Sequence, residues 1–283
     1  MDYLKKVQEK EYEMLVLFDD FCKSNNLKYF LGGGTLLGAV RHNGFIPWDD
    51  DIDICMLRED YTKFLELWQD SDKYTLINYK TSKDYYLFHS KITYNNSKMY
   101  SRFVRDDVDF NLGVFIDIFP MDYVHDDYEQ VLKDRHKLWI WWRILNMSSF
   151  SKVIALKDKK TPVIEYPLRF ISWIIHKFVG RKRAIKNLEK KVMKYKYTNH
   201  FANYFTPYTM ERDIYPTYLA DNLIEHQFGN GKFPIYHDYD VALQIEYGPD
   251  YMEIPKNVAP NSHHDIQLLE IDGVTYIKNG EIL

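Results

Sequence analysis

"LGGGTLLGAVRHNGFIPWDDDIDICM", residues 31–56, joins a run of three glycines to a cluster of four aspartates, Asp49, Asp50, Asp51 and Asp53. In "DIDICM" the acids Asp51 and Asp53 alternate with Ile52 and Ile54. That two-residue period is the signature of a strand anchored in a core by one face, with two carboxylates projecting together from the other. Like charges so close are costly unless a cation sits between them. Oxygen ligands at a rigid strand end suit Mg²⁺, or Mn²⁺ in its place, which takes one or two carboxylates and fills its shell with water and substrate phosphates. Asp49 and Asp50 fit a solvated loop equally well.

The spacing rules out commoner motifs. Asp49, Asp51 and Asp53 fall on positions 1, 3 and 5 of an EF-hand loop, but the next position is Ile54, where the sharp turn needs glycine. No Gly-Lys-Ser/Thr follows the glycines, so they are not a Walker A loop, and they lack the spaced Gly-x-Gly-x-x-Gly pattern of dinucleotide binders. Gly33 and Gly34 instead offer bare backbone N–H groups, and Thr35 reads as the cap of a short helix, "TLLGAVR". Together these favour phosphate oxygens. Arg41 and His42 follow that helix, where a cation could meet a diphosphate or simply complement the helix C-terminus. Trp48, beside the acids, suits stacking on a base or choline as well as packing.

Outward from this stretch, residues 2–24 read as an amphipathic helix. "NNLKYFLGGG" gives a turn and a short strand, "EDYTKFLELWQD" a helix, and "YTLINY", "YYLFHSKITY" and "GVFIDIFPMDYV" further strands. Asp117 sits in the last of these, amid Phe115, Ile116, Ile118 and Phe119. These elements define a core over residues 1–126, followed by a helical insertion at 127–211 and a part that packs back on the core at 212–283.

Composition sets the class. At 46% hydrophobic and 28% charged residues the chain of 283 is too apolar for disorder. Two cysteines, Cys22 and Cys55, cannot build a disulfide framework or a thiolate zinc site and fit a reducing compartment. The charged N-terminus lacks a signal-peptide core, and no apolar run reaches the ~18 residues of a membrane span. A cytoplasmic protein is expected, at most peripheral on the inner face of a membrane.

The net charge of −4 hides an asymmetry: Arg135 to Asn187 holds 13 Lys and Arg against Asp158 and Glu165, a local +11. Within it, residues 166–186 place Ile171, Ile174, Ile175 and Phe178 on one helical face beside Trp173, Lys177, Arg181, Lys182 and Arg183. That combination fits an interfacial helix on an anionic membrane, and equally a core-facing helix with a basic rim. No nucleic-acid motif accompanies the charge, so no nucleic acid is expected. His263 and His264, in the C-terminal tail, could reach the site or stand in solvent.

The order strand, Gly-Gly, short helix, strand with Asp-x-Asp resembles the nucleotidyltransferase superfamily, whose third carboxylate lies on a later strand; Asp117 is the natural match. "GGGTLLGAVRHNGFIPWDDDIDI", "FIDIFPMD" and "KFPIYHDYDVALQIEYGPDYMEIP" resemble the LicD family, phosphotransferases that attach phosphocholine or related phospho-alcohols to bacterial surface glycans and are related to the fukutin-related ribitol-phosphate transferases. The resemblance spans residues 23–125 and 213–264. It implies an α+β fold with a nucleotidyltransferase-like mixed sheet core and a helical insertion. It further implies Asp51 and Asp53 as metal ligands, Asp117 as a third ligand or the base, and Gly33, Gly34 and Thr35 as the donor-phosphate cradle. The donor would be a cytidine-diphosphate alcohol and the acceptor a glycan or lipid-linked saccharide. Two other readings use the same features: transfer of a whole nucleotide to a small alcohol or protein, and a non-catalytic, membrane-associated glycan-binding module.

Overall fold

The computed structural model describes residues 3–85, 87–101, 108–146, 171, 173–175, 177–254 and 266–277. At its centre β2 (Asp53–Leu57) runs parallel to β6 (Phe115–Val124), the pair in register from Asp53 opposite Asp117 to Leu57 opposite Met121. Ile52, Ile54, Ile116 and Ile118 are all fully buried, so the apolar positions of both strands hold this junction in the core. β1 (Phe30–Leu31) flanks β2 on one side. Beyond β6 lie β4 (Ser90–Tyr94) and β3 (Tyr74–Ile77), all paired antiparallel. The sheet is therefore mixed, in the order β1-β2-β6-β4-β3.

Helices close its faces. α1 (Tyr3–Ser24) turns Val7, Met14, Leu15, Phe18 and Cys22 inward at helical spacing. α2 (Gly33–His42) follows β1, and α3 (Arg58–Leu67) follows β2. The short helix was expected to open at Thr35; it opens at Gly33, with Gly32 as its N-cap, because the Leu36 N–H already bonds Gly32 O at 2.8 Å. The Thr35 hydroxyl, freed from capping, turns into the core and accepts the Asp53 N–H at 2.8 Å. The result is a short helix stitched to the start of the acidic strand.

The rest of the chain wraps this unit. α4 (Tyr128–Asn146) and α5 (Arg181–Val192) bury Val131, Leu138, Trp142, Leu188 and Val192 in a second apolar cluster with Tyr79 and Phe88. β7 (His200–Ala202) then pairs with the far end of β6, and β8 (Ile214–Pro216) pairs with β7. After α6 (Tyr218–Asp221) come the hairpin of β9 (Leu223–Phe228) and β10 (Gly231–Tyr236), then α7 (Tyr239–Tyr247). A second hairpin, β11 (Ile266–Ile271) and β12 (Val274–Ile277), docks on β5 (Ser97–Ser101). Arg58 grips Asp122 through two bonds of 2.7 and 2.6 Å, tying α3 to β6 where neither charge reaches much water. Among the described residues no helix is long and apolar enough to cross a membrane.

Candidate active site

The register of β2 on β6 sets Asp53 beside Asp117, and Asp51 lies just ahead of β2. One carboxylate oxygen from each of Asp51, Asp53 and Asp117 lies within 4.8 Å of the others, and Asp49, Asp50 and Asp51 form a second such group. Backbone bonds fix the arrangement: the Asp117 N–H donates to Ile52 O at 2.8 Å, and the Gly32 N–H to Asp53 O at 3.0 Å.

The glycines are there because the acids press on them. A Cβ on Gly33, whose φ is +50°, would strike the Asp53 carboxylate, and one on Gly34 would stand 2.6 Å from Asp49 Oδ2. Only bare backbone lets the first turn of α2 approach both acids, with the positive end of its dipole close to the carboxylates. Thr35 is buried behind this turn, while Gly33 and Gly34 remain partly open.

The charges are unevenly compensated. Burial would raise the Asp117 carboxyl, but the Lys91 ammonium, 2.6 and 2.8 Å from its two oxygens, and His89 Nε2 at 3.2 Å outweigh it and hold the group below the usual carboxylate range. Lys91 is itself buried, with its ammonium 3.5 Å from the centre of the Phe115 ring. Asp53 goes the other way: burial, then Asp51 and Asp117, push its carboxyl well up. Glu11, from α1, is 1% exposed and is also pushed up, by burial and then by Asp51, Asp50 and Asp49. Crowded hard oxygen donors, with Asp53 pushed up by burial and by its acidic neighbours, are what a divalent cation would relieve, so Asp51, Asp53 and Asp117 fit the Mg²⁺ read from the sequence.

Two cavities meet at these acids and share Gly33, Asp51, Asp53, Tyr208 and Glu246 as a common wall. The smaller, about 390 Å³, is also lined by Gly34, Arg41, Trp48 and Asp49. Arg41 donates through Nη1 to Tyr251 O at 3.0 Å and Glu253 O at 3.3 Å, so it straps the segment after α7 across the cavity as well as presenting charge to it. His42 accepts from Arg41 Nε at 3.0 Å and meets Trp48 edge-on, and it lines neither cavity. The larger, about 560 Å³, is lined by Asp117, His89, Asp213 and a set of aromatic rings. His263 and His264 lie outside the described residues.

Lys91, His89, Asp213, Glu246 and Glu11 escaped the sequence reading. The signal for Lys91 was a lysine inside the strand-like "HSKITY", of which Ser90–Tyr94 form β4 and are buried throughout. Asp213 and Glu246 carry a usable electrostatic signature. Burial, then Asp213, pushes the Glu246 carboxyl up to about 7, and burial pushes Asp213 up to about 6. An acid whose folded value lies above its unfolded one adds stability that is complete below the unfolded value and is lost as pH rises through the folded one. The folded chain should therefore lose stability between about pH 4 and 7. Glu246→Gln removes one of these titrations. Relative to the parent it should gain on the order of 1–3 kcal/mol between pH 4 and pH 8. Thermal melts across that range measure the gain, and an offset that stays constant with pH would contradict it.

Residues 26–162 match the family model described as the LicD/FKTN/FKRP nucleotidyltransferase domain. The lipopolysaccharide cholinephosphotransferase LicD of Haemophilus influenzae is 28% identical over 274 residues, covering 92% of this chain and 97% of that protein. The ribitol 5-phosphate transferase FKRP of human and mouse is 53% identical over a shorter stretch of 34 residues, 12% of this chain and 7% of theirs. An uncharacterized protein of Caenorhabditis elegans, T07A5.1, is 49% identical over 49 residues, 17% of this chain and 13% of its own length. The mixed sheet, the paired aspartates and these matches agree: residues 26–162 form a domain of the LicD nucleotidyltransferase type, and the chain is similar to a LicD phosphotransferase along nearly its whole length.

Proposed function

We propose that this chain transfers a phospho-alcohol, phosphocholine first among them, from a cytidine-diphosphate donor to a hydroxyl of a cell-surface glycan or lipid-linked saccharide, and that the reaction depends on Mg²⁺ or Mn²⁺. The observation that carries this reading is the convergence of Asp51, Asp53 and Asp117 on the glycine-lined wall between two cavities. A diphosphate laid across that wall has one cavity for each of its two substituents. Similarity to a cholinephosphotransferase and a ribitol 5-phosphate transferase supports the class of donor and acceptor.

In this reading Asp51, Asp53 and Asp117 hold the cation, which supplies charge neutralisation at the phosphates when bound. Gly33 and Gly34 let the diphosphate reach the first turn of α2, and Arg41 and Trp48 face the nucleotide from the smaller cavity. The acceptor oxygen forms a bond to the distal phosphorus as the anhydride P–O bond breaks, and cytidine monophosphate departs with the bonding pair. The acceptor's proton passes to Glu246, which faces both cavities and titrates near neutral pH. Asp117, held ionised by Lys91, is the poorer base and the better ligand. Positioning and charge neutralisation supply most of the rate.

The described residues at 171–178 also support a peripheral contact with anionic membrane, where a lipid-linked acceptor would be met. Ile171, Trp173, Ile175 and Phe178 are exposed there, Phe178 at 82%, and Lys177 lies over the Trp173 ring at 4.7 Å.

Asp51→Asn and Asp53→Asn should each abolish transfer, by at least about 100-fold in kcat, while leaving the fold intact or slightly more stable, since each relieves repulsion between carboxylates. ³¹P NMR of cytidine-diphosphate alcohols with Mg²⁺ and a capsular or cell-wall glycan reads the product. Release of pyrophosphate instead of cytidine monophosphate would favour transfer of a whole nucleotide, and full activity in Asp51→Asn or in EDTA would end the metal-site reading. The membrane contact is read by sedimentation with vesicles: anionic vesicles should retain the protein and salt should release it, whereas equal recovery with neutral vesicles would remove that part of the proposal.

A further inference from the structure

Lys91, Asp117 and Asp53 stand in one row across three neighbouring strands: Lys91 of β4 is directly opposite Asp117 of β6, which is directly opposite Asp53 of β2. Residues paired in this way share a face of the sheet, so an ammonium group is built into the acidic centre from the side away from β2. Lys91 Nζ donates to both oxygens of Asp117, at 2.6 and 2.8 Å. It also lies 3.5 Å from the centre of the Phe115 ring, two residues before Asp117 on the same face of β6. Lys91 is only 5% exposed and Asp117 only 4%. Taking an ammonium this far out of water is costly, and a neutral donor in the same place would orient Asp117 as well. What the lysine adds is its charge.

We propose that Lys91 is a positioning residue of the cation site and its fixed counter-charge, matching the three aspartates to an ion of charge two and against one of charge three. The inference rests on the cation reading of Asp51, Asp53 and Asp117. Ionised, these three carry −3, and the one ammonium brings the group to −2, which a single divalent ion cancels. Without Lys91 the occupied group would keep a negative charge and repel an incoming diphosphate. The ammonium and the ion would share the Asp117 carboxylate, so the repulsion between them grows in proportion to the charge of the ion and weighs more heavily on a trivalent one. Burial of the lysine and its aspartate, with the Phe115 ring against the ammonium, protects that discrimination from screening by salt.

The test compares Tb³⁺ with Mn²⁺ on the full chain, because the ratio of the two affinities cancels whatever a substitution costs both ions alike. Both are titrated without substrate or turnover, at about pH 8 to favour ionised carboxyls. Paramagnetic resonance counts the free Mn²⁺, and Tb³⁺ is read by the luminescence that Mn²⁺ displaces. Lys91→Gln keeps a hydrogen-bond donor but loses the charge, and it should raise the ratio of Tb³⁺ to Mn²⁺ affinity about 10- to 100-fold. Lys91→Arg, which keeps the charge, should hold the ratio at the parent value, as should Lys63→Gln at an exposed lysine of α3. Should Lys91→Gln fail to fold, the comparison moves to Asp117→Asn with and without Lys91→Met, where no acid is buried short of its partner, and loss of the lysine should again raise the ratio. A ratio unmoved by loss of the lysine in either background makes Lys91 a structural partner of Asp117 only and overturns the proposal while leaving the cation reading in place. Absence of Mn²⁺ binding to the parent sinks the cation reading and the counter-charge with it.

Discussion

The parallel pairing of β2 with β6 is the constraint on which the rest of the structure turns, because its register forces Asp53 and Asp117 side by side. With Asp51 they crowd their oxygens within 4.8 Å. At an effective dielectric near 20, two full charges at that distance repel by on the order of 3 kcal/mol. The fold absorbs this in parts. Isoleucines on the opposite faces of both strands bury the junction. Lys91 spans both oxygens of Asp117, so one acid is charged and satisfied within the protein. Asp53 is left with burial and two acidic neighbours, which is the imbalance a divalent cation would correct.

The glycines belong to the same solution. α2 must begin close enough for its first turn to face Asp53 and Asp49, and any side chain at Gly33 or Gly34 would occupy the space the carboxylates need. Thr35 completes the joint from beneath through its bond with the Asp53 N–H. Around this joint the distal parts of the chain build walls: α4 and the loop after β7 supply rings on one side, and α7 with the segment strapped by Arg41 closes the other. Acidic centre, bare-backbone wall and two flanking chambers thus follow from one strand register.

Much of the centre was legible in the sequence because it is local. The alternation of Asp51 and Asp53 with isoleucines reports a half-buried strand directly, and Asp117 amid apolar residues repeats the pattern on its partner. What was not legible depends on distant contacts. Nothing near Lys91 in the chain announces an acid 26 positions away, and Glu246 and Asp213 acquire their raised values from burial that only the packing of α7 against β8 and its approach creates. Thr35 looked like a cap because threonine usually caps, but a glycine one turn earlier took that role and the hydroxyl was claimed by Asp53. Short strands such as β7 and β8, three residues each, are too brief to show any alternation and exist because β6 offers them an edge.

The central claim, that Asp51, Asp53 and Asp117 together hold a divalent cation against a diphosphate on the glycine wall, is tested most directly by anomalous diffraction from crystals grown with Mn²⁺ and cytidine diphosphate. The account predicts an anomalous peak within ligand distance of all three carboxylates, with a phosphate bridging it to the backbone of Gly33 and Gly34. A peak confined to other acids, or a nucleotide bound away from this wall with no metal at the three aspartates, would contradict it.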